Sequence, residues 1–145
     1  MKEIKKVLVP VDYSDNSKKV LESAASFTAK CGAAMEVLYV VQSFDDYSGF
    51  FVPHTPIAKF EEEMVSSAET KMESFIADYP NAAAKVLCGD VAEEIVDYAA
   101  QEAFDLIIMG THGYKGLERV MFGSVADKVV KSAPCPVLTI NPYKE

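Results

Sequence analysis

Short runs of apolar, largely β-branched residues alternate along this chain with longer stretches whose apolar residues fall three and four apart, and that alternation leaves few folds open. It is the pattern of βαβ units built around a parallel sheet. Five runs read as strands, at residues 4–11, 34–41, 84–88, 105–109 and 137–140. In the fourth, Leu106, Ile107, Ile108 and Met109 follow one another with no polar residue between them, as expected of a strand covered on both faces. The predicted order is β-α-β-α-β-α-β-α-β.

The helical stretches carry recognisable ends. Ser14 is placed to N-cap a helix with Val20, Leu21, Ala24, Ala25 and Thr28 on one stripe, and Gly32 to stop it. A second helix is predicted over about 57–79, where Ile57, Phe60, Met64, Ala68, Met72, Phe75 and Tyr79 recur at helical steps. Its other face, rich in Glu61, Glu62, Glu63, Glu69 and Glu73, reads as solvated. Asp90 with Glu93, and Ser124 with Asp127, have the spacing of capping boxes. Residues 43–56 show no period and include Tyr47, Phe50, Phe51 and His54, so they read as a loop, either a functional lid or a tolerated insertion.

The fourth strand runs into the densest glycine segment of the chain. Residues 110–124 hold Gly110, Gly113, Gly116 and Gly123, four of the seven glycines, and lead into the last helix. Glycine admits left-handed backbone and removes the side chain that would keep a ligand from the amides. Bare amides in succession, followed by a helix N-terminus, suit an anion such as phosphate. The segment also follows the carboxyl end of a strand, where open parallel sheets bind ligands at a reversal of winding. If strands one and four are neighbours, giving the order 3-2-1-4-5, the Pro10-Val11-Asp12 end of strand one faces it. Asp12 is then placed to bond a ribose hydroxyl or a metal-bound water. The alternative is that Asp12 serves the first turn of the helix that Ser14 opens.

Charge and composition narrow the partners. At 145 residues the chain is read as one domain, 1–145, long enough to bury a core of its own. Its 22 acidic against 14 basic residues give a formal charge of −8, which repels nucleic acid and anionic lipid. No stretch approaches the roughly 18–20 apolar residues of a membrane span, and the apolar run after Lys5 and Lys6 is too short for a signal peptide. Cys31, Cys88 and Cys135 are an odd number without C-x-x-C spacing, so they read as buried or incidental thiols, Cys88 in the core, and the expected compartment is the cytoplasm.

The P-loop and dinucleotide fingerprints are absent. What stands instead is G-x2-G-x9-G-S, filled by Gly110, Gly113, Gly123 and Ser124, with Val9-Pro10-Val11-Asp12, Gly89-Asp90 and Pro136-Val137-Leu138-Thr139-Ile140 around it. In this combination the chain resembles the universal stress protein family over its whole length, apart from residues 43–56. The resemblance implies an open, doubly wound, five-stranded parallel α/β sheet, a homodimer formed through the last strand Val137–Ile140, and, because the glycine signature is intact, the ATP-binding branch. By matching position it implies that Pro10, Val11, Asp12 and Val41 line the adenosine. Gly110, Thr111, His112, Gly113, Gly123, Ser124 and Val125 would surround the phosphates, with Mg2+ or Mn2+ accompanying them.

His112 beside a phosphate invites a catalytic reading, but no second polar residue is placed by sequence to orient its ring, so it is read as a loop residue contributing its amide. Lys115 and Arg119 read as solvated. Efficient phosphoryl transfer needs a positioned metal, a group orienting the nucleophile and a cation on the developing charge. Only the cradle and Asp12 are evident. The leading expectation is an ATP-binding regulator with little or no turnover and no assigned catalytic residue; a slow ATPase or phosphotransferase, and a dimeric scaffold without nucleotide, are the alternatives.

Overall fold

The computed structural model describes residues 2–43, 54–111 and 122–144, with the backbone alone at 54–57 and 122. The elements are β1 (Lys6–Pro10), α1 (Asp15–Cys31), β2 (Ala34–Gln42), α2 (His54–Phe75), β3 (Ala83–Gly89), α3 (Val91–Gln101), β4 (Leu106–Gly110), α4 (Phe122–Ser132) and β5 (Val137–Ile140). The strands form one parallel sheet in the order β3-β2-β1-β4-β5, the order expected.

Strand pleating divides the apolar runs between two cores. Val7 and Val9 of β1, Met35 and Val37 of β2, and Leu106 and Ile108 of β4 meet Val20, Leu21 and Ala24 of α1 and Met72 of α2. On the other face Leu8, Leu38, Ile107 and Met109 meet Ile95 and Ala99 of α3 and Ala126 and Val129 of α4. The unbroken run at 106–109 is therefore apolar because both of its faces are buried.

Only the pair β1–β4 joins strands that do not follow one another in sequence. The β1–β2 ladder runs from Lys6 against Ala34 to Pro10 against Leu38, whereas β1–β4 registers only Val7 with Leu106 and Leu8 with Ile107. At its amino end the seam is clamped by Asp105, whose Oδ2 accepts the amides of Lys5 and Lys6 at 3.0 Å each. Its carboxyl end, beyond Pro10 and Gly110, carries no such clamp among the described residues.

The helix ends at Ser14, Gly32 and Asp90 form as the sequence predicts. Ser14 accepts from the Ser17 amide, Asp90 from the Glu93 amide, and Gly32 takes the left-handed φ of 66° that closes α1 onto the Thr28 and Ala29 carbonyls. Three expectations need correction. Ser124 with Asp127 is not a capping box: α4 already begins at Phe122, Ser124 lies inside its first turn, and Asp127 pairs with Lys131 at 3.2 Å. α2 stops at Phe75 rather than near Tyr79; the Ile76, Ala77 and Tyr79 amides continue as turns that bond to Met72, Ser74 and Ile76, and Tyr79 still packs on the core. His54 and Pro56, read as loop, fall in the first turn of α2, where proline is tolerated because its missing N–H has no helical partner to lose. The remainder of that expected loop, residues 44–53, lies outside the described residues. Nor is the acidic face of α2 wholly solvated or Cys88 wholly core: half-buried Glu61 accepts from Ser43 Oγ at 3.4 Å and from the half-buried Cys88 thiol at 3.5 Å.

Candidate functional site

The carboxyl end of β1 is built around one carboxylate oxygen. Val11 continues the strand by donating its amide to the Leu38 carbonyl at 2.9 Å, and the chain then turns into α1. Asp12 Oδ1 accepts the Ser14 amide at 3.0 Å, the Ser14 hydroxyl, and the Ser17 hydroxyl at 2.7 Å. Ser17 Oγ in turn accepts the Asp12 amide at 2.9 Å, and Ser14 Oγ accepts the Ser17 amide at 3.1 Å. Asp12 thus serves the start of α1, and the ligand reading is confined to its other oxygen, Oδ2, which makes no bond among the described residues. Both readings of Asp12 fit one geometry.

Between Asp12 and Ser14 stands Tyr13 with φ 65°, a left-handed conformation that costs a non-glycine residue about 1–2 kcal/mol. Its ring stacks on Tyr39 at 4.2 Å, meets Phe75 edge-on at 5.2 Å, and its hydroxyl donates to the Ala68 carbonyl at 2.7 Å. Burial first, and the neighbouring Tyr39 second, push the Tyr13 phenol above the ordinary tyrosine range, so it remains a neutral donor. Val41, at the end of β2, is 2% exposed and faces the same side of the sheet as Tyr39.

Carrying the β1–β4 register forward brings Val11 level with Gly110 and Asp12 level with Thr111 across the open end of the seam. Gly110 is buried, and Thr111 anchors this end by donating its amide to the Ile140 carbonyl at 2.9 Å. His112 and Gly113 lie outside the described residues. Gly123, Ser124 and Val125 lie in the first turn of α4, where the Gly123 and Ser124 N–H groups have no intrahelical partner. The correction to Ser124 therefore adds a backbone donor to its hydroxyl. The first turns of α1 and α3 carry acidic residues, Asp15 and then Glu93 and Glu94; that of α4 carries none. α2 also lacks one but holds no glycine in that turn. A partial positive charge free of acidic neighbours is what an incoming anion requires. Of the predicted set, Pro10, Val11 and Asp12 follow one another at the carboxyl end of β1, Gly110 and Thr111 at that of the neighbouring β4, and Val41 lies on β2, one strand away.

Sequence reasoning missed Ser17 and Tyr13. The D-x-S-x-x-S spacing of Asp12, Ser14 and Ser17 was the available signal for the first. Nothing short of the fold reveals the second, since a tyrosine gives no sign that it will take a left-handed φ. Among the described residues no group of three or more His, Cys, Asp or Glu is arranged to hold a metal ion, and no helix is long and apolar enough to cross a membrane.

The strand order β3-β2-β1-β4-β5, with helices on both faces, makes this a doubly wound parallel α/β protein. The model of the Universal stress protein family matches residues 3–141, and the chain belongs to that family. Universal stress protein MJ0531 of Methanocaldococcus jannaschii is 35% identical over 148 residues, covering 97% of this chain and 85% of that protein. Among solved structures, protein MJ0577 of the same archaeon superposes with a TM-score of 0.81 at 26% identity, over 97% of both chains. The universal stress protein from Archaeoglobus fulgidus, solved in complex with dAMP, has a TM-score of 0.58 at 25% identity, over 97% of this chain and 100% of its own.

Proposed function

We propose that the chain is a cytoplasmic ATP-binding regulator with little or no turnover, working as a homodimer. The observation that carries this reading is the position of Asp12 and of Gly110 and Thr111 at the carboxyl ends of the neighbouring strands β1 and β4, ahead of α4, whose acid-free first turn holds Gly123 and Ser124. The dAMP complex of the Archaeoglobus fulgidus relative supports an adenine nucleotide. Pro10, Val11, Asp12 and Val41 take the adenosine; Gly110, Thr111, His112, Gly113, Gly123, Ser124 and Val125 take the phosphates. Mg2+ or Mn2+ accompanies the phosphates.

Small molecules released from freshly purified protein, followed by incubation with ATP and magnesium, test the reading. Recovery of unhydrolysed ATP is expected. Multiple turnovers above a hydrolysis blank would make the protein an enzyme, and no binding at millimolar ATP would end the nucleotide reading. Gly123→Val is expected to weaken ATP about tenfold or more, about 1.4 kcal/mol, with the fold kept; unchanged affinity would place the cradle elsewhere.

The dimer rests on β5, which ends the sheet with no strand on its outer edge among the described residues and leaves Leu138 40% exposed. Sedimentation should give about twice the 15.9 kDa chain mass, and Leu138→Glu should return the monomer. A wild-type particle at the single-chain mass would remove the dimer.

A further inference from the structure

On the face of α1 and α2, α1 packs over β1, β2 and β4, and β5 runs along its flank as the outermost strand. A cavity of about 590 Å3 lies between α1 and the end of β5. Its apolar lining includes Phe27 of α1 and Ile140 of β5, both half-buried and packed on the core beneath. The turn after β5 supplies Pro142 and Lys144. Within that turn the Lys144 amide donates to the Asn141 carbonyl at 3.1 Å, and the Tyr143 amide to Asn141 Oδ1 at 3.0 Å. Two bonds from α1 tie it down: Lys19 Nζ donates to the Pro142 carbonyl at 3.3 Å, and Asn16 Nδ2 to the Tyr143 hydroxyl at 3.1 Å. Both walls are therefore fixed parts of the fold.

The helix wall carries Lys19, Ser23, Ser26 and Lys30, spaced four, three and four, so they form one stripe. It spans about 16 Å of helix axis, with a cation at each end and hydroxyls between. Lys144 adds a third cation from the opposite wall, and Glu22 is the one carboxylate of the lining. The cavity is thus positive on a chain whose formal charge is −8. Lys19, Lys30 and Lys144 take part in no ion pair among the described residues. The dipole of α1 favours a cation at Lys30, in its last turn, but accounts for neither Lys19, in its second turn, nor Lys144. Lys19 uses one of its three ammonium donors on Pro142 and keeps two.

We infer that this cavity is a second ligand site, for a small organic anion: an apolar body of two or three rings on Phe27 and Ile140, with its carboxylate, sulfonate or phosphate group bonded by Lys19 and Lys144. Lys30 adds to the local positive field that draws such a ligand to an otherwise acidic protein. The volume falls within the roughly 300–1,000 Å3 of small-molecule pockets. The site goes beyond the nucleotide reading and does not depend on it.

The probe is 8-anilinonaphthalene-1-sulfonate, three rings and one sulfonate, whose emission rises and shifts to the blue when its rings leave water. Saturable binding is expected, weakening severalfold as salt is raised from about 0.05 to 0.5 M. N-phenyl-1-naphthylamine, the same rings without the sulfonate, should bind about tenfold more weakly; equal affinity overturns the recognition of an anion. Lys144→Glu, which reverses one of the three cations, and Ser26→Phe, which fills the cavity from the helix stripe, should each weaken the sulfonate about tenfold. Both replace exposed side chains, so the urea midpoint should hold. Failure of the sulfonate to saturate at millimolar concentration, or an unchanged affinity in either variant, overturns the site. Saturating ATP with magnesium should leave the affinity for the sulfonate as it is; displacement would put the probe in the nucleotide crevice and overturns a separate site. A protein that binds the sulfonate but no ATP would refute the nucleotide reading and leave this site standing.

Discussion

Ser17→Ala removes one hydroxyl that Asp12 uses twice. In the folded chain Ser17 Oγ donates to Asp12 Oδ1 at 2.7 Å and accepts the Asp12 amide at 2.9 Å, from a residue only 3% exposed. A hydrogen bond to a charged group contributes about 1.5–3 kcal/mol, and an amide left without an acceptor costs about 1–3 kcal/mol when buried. Asp12 is half-buried, so water reaches part of what the hydroxyl leaves, and both values fall toward their lower ends. The expected loss is about 2–3 kcal/mol. The N-cap of α1 is untouched, because that bond runs from the Ser17 amide to Ser14 Oγ, so helix content should not change. In urea the midpoint should fall with an unchanged denaturant slope, and the melting temperature should drop by roughly 5–10 °C, at about 2–4 °C per kcal/mol for a chain of this size. A loss below about 1 kcal/mol would refute the claim that Ser17 holds the Asp12 turn.

Two left-handed helix ends make an opposed pair of tests. Gly32, with φ 66°, should cost about 1 kcal/mol on replacement by alanine, whereas Ala103, with φ 52° after α3, should gain about 0.5–1 kcal/mol as glycine; urea midpoints moving the other way would show that these conformations carry no strain. Burial first, then the hydrogen bond and charge of Glu36, push the Tyr98 phenol above its ordinary range near 10. The folded chain therefore holds that proton more tightly than the unfolded one, so the stability is intact below pH about 10 and is lost as pH rises beyond it. Tyr98→Phe should make the alkaline decline shallower, leaving the part due to Tyr13 and Tyr79, which are raised in the same direction; an identical slope would refute the assignment.

The fold was legible where one residue decides one local choice. Ser14, Gly32 and Asp90 each control a helix end through a bond to chain within three or four residues, and spacing alone exposes such bonds. The run 106–109 announced a two-faced strand because pleating sends neighbours to opposite cores. Boundaries governed by longer contacts were hidden. The stripe of α2 reaches Tyr79 because the turn after Phe75 returns that ring to the same core, a task helical periodicity cannot distinguish from continued helix. Ser124 matched a capping pattern two residues inside a helix already begun. At the site, strand ends pointed to Asp12, Gly110 and Thr111, since position in an α/β sheet follows from element order. The roles of Ser17 and Tyr13 stayed invisible because they depend on how one turn folds back on itself.

The seam between β1 and β4 has a mechanical consequence. Its paired residues come from the chain's opposite halves, and the side-chain clamp found among the described residues, Asp105, lies at the amino end. The half that supplies Asp12 and the half that supplies Gly110 can therefore fray from the open end as separate cooperative units, the local opening that amide exchange detects. A ligand bridging that end would act as a second rivet. At a hundredfold excess over its dissociation constant it would add about 2.7 kcal/mol to the union of the halves. Occupancy would then be recorded as a change in how many pieces the protein comes apart in, a signal a partner could read without any chemistry taking place.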